Sequence, residues 1–320
     1  MPIVPSSYSH TPFYMLNGHW ETVIPSLFFK VRDKLYERTR LELEDGDFLD
    51  IDWIRANNKR CVVLTHGLEG DSGRYYMKRT AKFFKELGWD VASWNCRSCS
   101  GEMNRLPRFY HHGDTPDLHA IVSEVLKGDY EQVLLFGYSM GGSMTLKYLG
   151  ESKRDPRILG ACVFSVPCNL RDSAVQLKQP RNRFYEKRFL EKLLNKIRIK
   201  AEMFPDQVSA AGLDQMKDFD EFHDKYTAPL HGYSSKEEFF EKATCDQFLH
   251  LVDRPVLIVN AANDPMLGDG CYPKQIAESS EYVTLEIPEK GGHVGFTINK
   301  KGPSYMELRA QQFLLEKFDL

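Results

Sequence analysis

Apolar positions along the chain follow two rhythms that alternate. Six short, continuous runs are rich in β-branched side chains: Cys61–Thr65, Val91–Trp94, Val133–Phe136, Ile158–Val166, Val256–Asn260 and Tyr282–Ile287. Runs without polar alternation are the pattern of parallel strands covered on both faces. Ahead of them, residues 38–43 and 47–54 set Phe48, Leu49, Ile51 and Trp53 among acids around Asp45-Gly46, which predicts a hairpin. Between the runs the period becomes helical. Met77, Ala81 and Phe84 mark a helix over Arg74–Leu87 that stops at Gly88. Residues 115–127 carry Leu118, Ile121, Val122 and Val125 behind Thr115-Pro116, read as cap and first turn. Residues 303–318 predict a closing amphipathic helix. The alternation predicts an α/β fold with an eight-stranded, mostly parallel sheet flanked by helices.

One stretch breaks the rhythm. Between Cys168 and Val252 only helical patterns occur, with turns at Pro180, Pro205 and Pro229. An insertion of this size between two strands reads as a lid. The predicted organisation is therefore a core over 1–167 and 253–320, interrupted by a helical lid over 168–252. Within it, residues 171–200 hold ten Lys/Arg against three Asp/Glu, with Tyr185, Phe189, Leu193 and Ile197 at helical spacing. Taken alone, that is a basic amphipathic helix suited to an anionic membrane surface. Residues 201–225 reverse the balance with seven acids and two bases. The near-neutral sum favours a lid with its apolar face over a pocket, and peripheral membrane contact through the lid stays compatible with it.

At 320 residues and 42% hydrophobic content the chain can bury a large core, and its net charge of −3 argues against a nucleic-acid partner. Nothing approaches the ~18 apolar residues of a membrane span, and residues 1–10 lack the build of a signal peptide. Seven dispersed cysteines, several inside strand-like runs, are expected to be free thiols in a cytoplasmic protein. Cys96-Arg97-Ser98-Cys99 lacks the context of a redox or zinc motif, and His111-His112 lacks a carboxylate cluster. No cofactor and no metal are expected.

The chemistry concentrates at Gly137-Tyr138-Ser139-Met140-Gly141, a G-x-S-x-G between the strand Val133–Phe136 and a helical run. That context turns a common pentapeptide into a nucleophile elbow, in which small residues permit a cramped turn that exposes Ser139. A serine hydroxyl needs a neighbouring base. Of ten histidines, His293 in Gly291-Gly292-His293-Val294-Gly295 follows the last strand and precedes the final helix. His250 stands at the wrong end of a strand, His223 and His231 fall in the insertion, and His10 and His19 lie in the N-terminal arm. The orienting acid is assigned to Asp264, delivered by the loop after Val256–Asn260, with Asp269 as the fallback. The order Ser139, Asp264, His293 fits the Ser…Asp…His order of α/β-hydrolases. The oxyanion requires two amides: Met140 after the nucleophile, and Leu68 in His66-Gly67-Leu68-Glu69-Gly70. His66 reads as support for that loop.

With these residues in place the chain resembles the YheT-like branch of the α/β-hydrolase superfamily. Gly18-His19-Trp20-Glu21-Thr22-Val23-Ile24-Pro25 resembles its G-H-L-Q-T-I-x-P signature, and Leu43 to Trp53 its D-G-D-F-L-D-L-D-W segment. Asn95 to Gly101 resembles N-F-R-G-C-S-G, and Asn104-Arg105-Leu106-Pro107, Tyr110-His111 and Thr227-Ala228-Pro229-Leu230-His231-Gly232 also match. The departures are Trp20 and Glu21 for Leu and Gln, Cys96 for an aromatic, Ser98 for Gly, and Asn263 for an Asp beside the acid. The resemblance implies the same triad and a hydrolase of small-molecule carboxylic esters, acyl or lipid-like. An amidase, aminopeptidase or acyltransferase on the same triad, or a ligand-binding protein that leaves it unused, are the alternatives.

Overall fold

The computed structural model describes every residue except 1, 2, 10 and 33, so His10 lies outside the described residues. Strands are β1 (Ile3–Val4), β2 (Glu37–Glu42), β3 (Phe48–Ile54), β4 (Arg60–Thr65), β5 (Asp90–Asn95), β6 (Gln132–Tyr138), β7 (Ile158–Phe164), β8 (Val256–Val259) and β9 (Val283–Glu286). They form one sheet in the order β1-β9-β8-β7-β6-β4-β5-β3-β2. Only β3 runs against its neighbours, pairing antiparallel with both β2 and β5. The sheet thus has nine strands where eight were expected. The extra one is the two-residue β1, which joins β9 through Ile3↔Leu285 and is too short to leave a periodic signal.

Along β4, Cys61 and Val63 enter one core while Val62 and Leu64 enter the other, and β6 repeats this with Val133/Leu135 and Leu134/Phe136. Both faces of the centre are therefore apolar, as the continuous runs require. Helices α1 (Gly18–Phe28), α2 (Tyr75–Glu86), α3 (Thr115–Leu126) and α4 (Met140–Glu151) follow in chain order. The first core takes Leu118, Ile121 and Val122 of α3 with Met140 and Met144 of α4; the second takes Met77 and Phe84 of α2. Fully burying a side chain such as Phe84 contributes about 2–3 kcal/mol. One cap differs from expectation. Asp114, not Thr115, is the residue before α3, and its carboxylate accepts from Arg108 at 2.7 Å rather than capping the helix.

No described residue between 168 and 252 is in a strand. The segment forms α5 (Leu170–Leu177), α6 (Arg183–Met203), α7 (Phe219–Phe222), α8 (Ala228–Leu230) and α9 (Lys236–Ala243), with single turns between them. Its two ends meet where Asp246 N and Thr244 Oγ1 donate to Cys168 O at 3.1 and 2.9 Å. Two cations of α6 turn inward, away from any outer surface: Lys196 pairs with Glu69 and Lys200 donates to Asn104 O at 2.6 Å. After α10 (Lys274–Ser279), the helix α11 (Tyr305–Phe318) packs Met306, Ala310 and Phe313 on the second core behind a Ser304/Glu307 capping box. No described helix is long and apolar enough to cross a membrane.

Candidate active site

Strand β6 runs into α4 through a turn so tight that its two flanking positions, Gly137 and Gly141, have no room for a side chain. A Cβ on Gly137 would lie 2.6 Å from Gly141 O, and one on Gly141 would lie 2.6 Å from His66 O. The turn places Ser139 at φ 51°, ψ −120°. Positive φ in a non-glycine residue costs of order 1–3 kcal/mol and persists only where the surroundings impose it. Here β4, β7 and the first turn of α4 hold the elbow, with Ser139 N donating to Phe164 O at 2.9 Å.

The three residues singled out from the sequence come together. His293 Nε2 lies 2.9 Å from Ser139 Oγ, and His293 Nδ1 lies 2.8 Å from Asp264 Oδ2. Asp264 is buried after β8, and its other oxygen accepts from Met266 N at 2.9 Å. With the imidazole proton on Nδ1 facing a carboxylate, Nε2 is left to accept from the hydroxyl. Asp269, the fallback acid, sits at the start of a single helical turn, Asp269–Cys271, and is not in the hydrogen-bond chain.

In the stretch 67–70 one amide is left over. Gly67 N donates to Tyr76 OH, Glu69 N to Tyr110 OH, and Gly70 N to Gly67 O. That leaves Leu68 N, and Met140 N at the first position of α4, without a carbonyl partner among the described residues. His66 bridges the loop to the next strand: Nδ1 lies 2.8 Å from Gly67 O, and Nε2 accepts from Cys96 N at 3.1 Å. Burial pushes its pKa down to about 4 and keeps it neutral. Glu69, at φ 52°, is gripped from several sides. Its carboxylate accepts from Lys196 and Tyr110, both at 2.6 Å, and its carbonyl from Arg74 at 2.6 Å and Lys192 at 3.3 Å. Helix α6 is thereby tied to the residue beside Leu68.

Several supporting residues escaped sequence reasoning. Helix α1 was not expected at all, because Pro25 sits within it and its apolar positions are irregular. The cap Asn17, accepting from His19 N and Trp20 N, was its available signal. From α1, Thr22 Oγ1 accepts from His293 N at 2.8 Å, and Glu21 Oε2 accepts from Gly291 N at 2.7 Å and Asn263 Nδ2 at 2.9 Å. Asn263 Oδ1 in turn accepts from Gly292 N at 3.0 Å. The two departures from the family pattern here are complementary. Glu stands where the pattern has Gln and Asn where it has Asp, so the carboxylate and the carboxamide have changed places while the pair survives. Ser165 completes the loop by accepting from Val294 N at 2.8 Å.

Ser139 and His293 open on a cavity of about 340 Å³ between α1, the loop 66–76 and α5–α6. Beyond Leu68 and His112 lies a second chamber of about 70 Å³, closed by Phe219, Phe222, Phe239 and Phe240. No group of His, Cys, Asp and Glu among the described residues could hold a metal ion, and Cys96 and Cys99 are free.

A family profile described as serine aminopeptidase, S33, matches residues 56–267. YheT of Escherichia coli (strain K12) is 30% identical over 287 residues, spanning 88% of this chain and 84% of that one. Human phospholipase ABHD3 is 27% identical, spanning 98% and 80%, and human monoacylglycerol lipase ABHD2 is 25% identical, spanning 92% and 75%. Among solved structures, the Pyrococcus furiosus esterase Pf2001 superposes with a TM-score of 0.58 at 15% identity, covering 92% of this chain and 96% of that one, which establishes a shared fold.

Proposed function

Because the chain belongs to the YheT-like branch of the α/β-hydrolase family, we propose that it is a carboxylic-ester hydrolase working through Ser139, His293 and Asp264. The observation that carries this reading is the unbroken hydrogen-bond chain Asp264–His293–Ser139, ending on a strained serine at the floor of a cavity. Ser139 Oγ attacks the ester carbonyl as Nε2 of His293 takes its proton, and Asp264 steadies the imidazolium. The amides of Leu68 and Met140 hold the oxyanion, each worth about 3–4 kcal/mol in the transition state. The alcohol leaves with the proton from His293, and water then releases the acyl group by the same steps in reverse. The helices over 168–252 act as a lid, supported by α6 supplying Phe184, Arg188 and Lys192 to the cavity wall. Exposed apolar residues beside the mouth, Leu27 and Phe184, suit a lipid-like ester and contact with a membrane surface. Seven free cysteines accord with a cytoplasmic setting.

The family description favours a second reading, an aminopeptidase. A free α-amine needs an unpaired carboxylate, and the carboxylate lining the cavity, Glu69, is already engaged by Lys196. The test is hydrolysis of p-nitrophenyl esters of two to sixteen carbons by the wild type and Ser139→Ala. Turnover in the variant is expected to drop by on the order of 10⁵ or more. A wild type inactive on every ester, or a variant as active as the wild type, would overturn the proposal.

A further inference from the structure

Of the adjacent pair His111-His112, one ring lacks a partner. His111 Nδ1 accepts from Gly113 N at 3.1 Å, whereas the His112 ring makes no hydrogen bond, ion pair or ring contact with any described residue. His112 stands at a throat: with Leu68, Ser173 and Leu177 it lines both the cavity of Ser139 and the aromatic chamber. The other polar side chains of that chamber are paired. Tyr110 OH donates to Glu69 at 2.6 Å, Ser173 Oγ donates to Met266 O at 2.9 Å, and His223 Nδ1 lies 2.9 Å from Thr227 Oγ1. Burial pulls the His112 pKa down to about 4 and keeps the ring neutral. It therefore offers one N–H donor and one acceptor nitrogen to whatever occupies the throat. No Lys, Arg, Asp or Glu lines the chamber, so a charged group would find no counter-ion there. The two spaces also meet solvent differently. No residue lining the aromatic chamber is exposed, whereas the larger cavity reaches the exposed Ser26, Leu27, Lys30 and Phe184. The alcohol must leave before water attacks the acyl-enzyme, which puts it on the open side. The acyl chain stays on Ser139 through that exchange and suits the inner side.

We infer that His112 is a specificity-determining residue: the acyl chain passes the throat into the aromatic chamber, and His112 hydrogen-bonds an uncharged oxygen, an oxo or hydroxyl group, carried on that chain. The inference rests on the hydrolase reading above and adds the class of acyl group. No chemical step changes, since the oxygen is bound and not altered.

The experiment measures kcat/KM for methyl hexanoate and its 3-oxo, 4-oxo and 5-oxo derivatives in the wild type, His112→Leu and His112→Gln. Differences in intrinsic reactivity cancel when the ratio of oxo to plain ester is compared between proteins. For one position that ratio is expected to be about ten-fold higher in the wild type than in His112→Leu, the size of one buried hydrogen bond. His112→Gln, whose amide still donates, should keep part of the preference. Ratios equal in all three proteins at every position overturn the inference, leave the imidazole to an ordered water, and do not touch the hydrolase reading. If no ester is cleaved, the hydrolase reading fails instead, and calorimetric titration of Ser139→Ala with the same four esters decides the subsite. Tighter binding of one oxo ester that is lost in Ser139→Ala/His112→Leu sustains it; equal binding overturns it. Should His112→Leu not fold, the imidazole nitrogen resonances of Ser139→Ala are followed in that titration. A His112 shift larger with an oxo ester than with the plain one sustains the inference, and equal shifts overturn it.

Discussion

The Glu21–Asn263 pair permits a prediction in which charge, stability and pH are all fixed by one contact of 2.9 Å. Asn263→Asp alone sets two carboxylates at that separation in a place where Glu21 is 1% exposed. At an effective dielectric near 20 their repulsion is about 6 kcal/mol. Protonating one of them is easier: for a carboxyl of ordinary pKa near 4.3 it costs about 4 kcal/mol at pH 7 and about 1 kcal/mol at pH 5. The protonated group then donates the hydrogen bond the amide had given. Glu21→Gln alone keeps an acceptor for Gly291 N and should cost about 1 kcal/mol. Combining both substitutions restores a carboxylate–carboxamide pair with the partners exchanged. The double variant is expected within about 1 kcal/mol of wild type, a coupling of about 4 kcal/mol against the sum of the singles. For 320 residues the unfolding entropy is about 0.7 kcal/mol/K, so Asn263→Asp should lower Tm by about 6 °C at pH 7 and 1–2 °C at pH 5. Thermal unfolding of the four proteins at both pH values is the assay. A double variant as unstable as the sum of the singles, or an Asn263→Asp penalty unchanged at pH 5, refutes the reasoning.

Three further outcomes are expected. Thr22→Val, nearly isosteric, leaves His293 N unpaired; kcat for a soluble ester should fall ten- to a hundred-fold with KM little changed, and an unaltered kcat would show that α1 does not position the base. Lys196→Met strands the buried Glu69 carboxylate and should cost about 3–5 kcal/mol by denaturant unfolding, most of it recovered on adding Glu69→Gln. His66 has a folded pKa near 4, below its unfolded value near 6.5, so the unfolded chain binds more protons between those limits. Stability should therefore be full above pH 6.5 and decline toward pH 4, His66 alone accounting for on the order of 3 kcal/mol; urea titrations at pH 7, 5.5 and 4.5 would expose a flat profile.

Sequence was most informative where a residue's neighbours in the chain are also its neighbours in space. The buried strands β4, β6 and β8 announce themselves by composition, and the elbow by glycines whose Cβ atoms would strike backbone. Legibility fails where the partner is distant. Glu21 and Thr22 look like ordinary polar positions of an irregular arm until the fold sets them under residues 291–293, and Glu69 looks like a surface acid until α6 brings Lys196 onto it. Strand β1 carries two residues and no period, so only its pairing with β9 reveals it. Likewise Thr115 reads as the cap of α3 because nothing local to it shows that Asp114 precedes the helix with its carboxylate held by Arg108.

The distance along the chain between the serine and its base has a consequence for synthesis. Ser139 precedes His293 by 154 positions, and the Glu21 contact that braces the histidine loop spans 270. At about 5–20 residues per second, a ribosome displays the elbow for roughly 8–30 s before the histidine is made. A nascent chain, or one released early by a premature stop anywhere in that interval, holds the nucleophile without the means to activate it. On the proposed triad, hydrolysis therefore waits until residue 293 has been made, and products cut short before it are expected to be chemically silent.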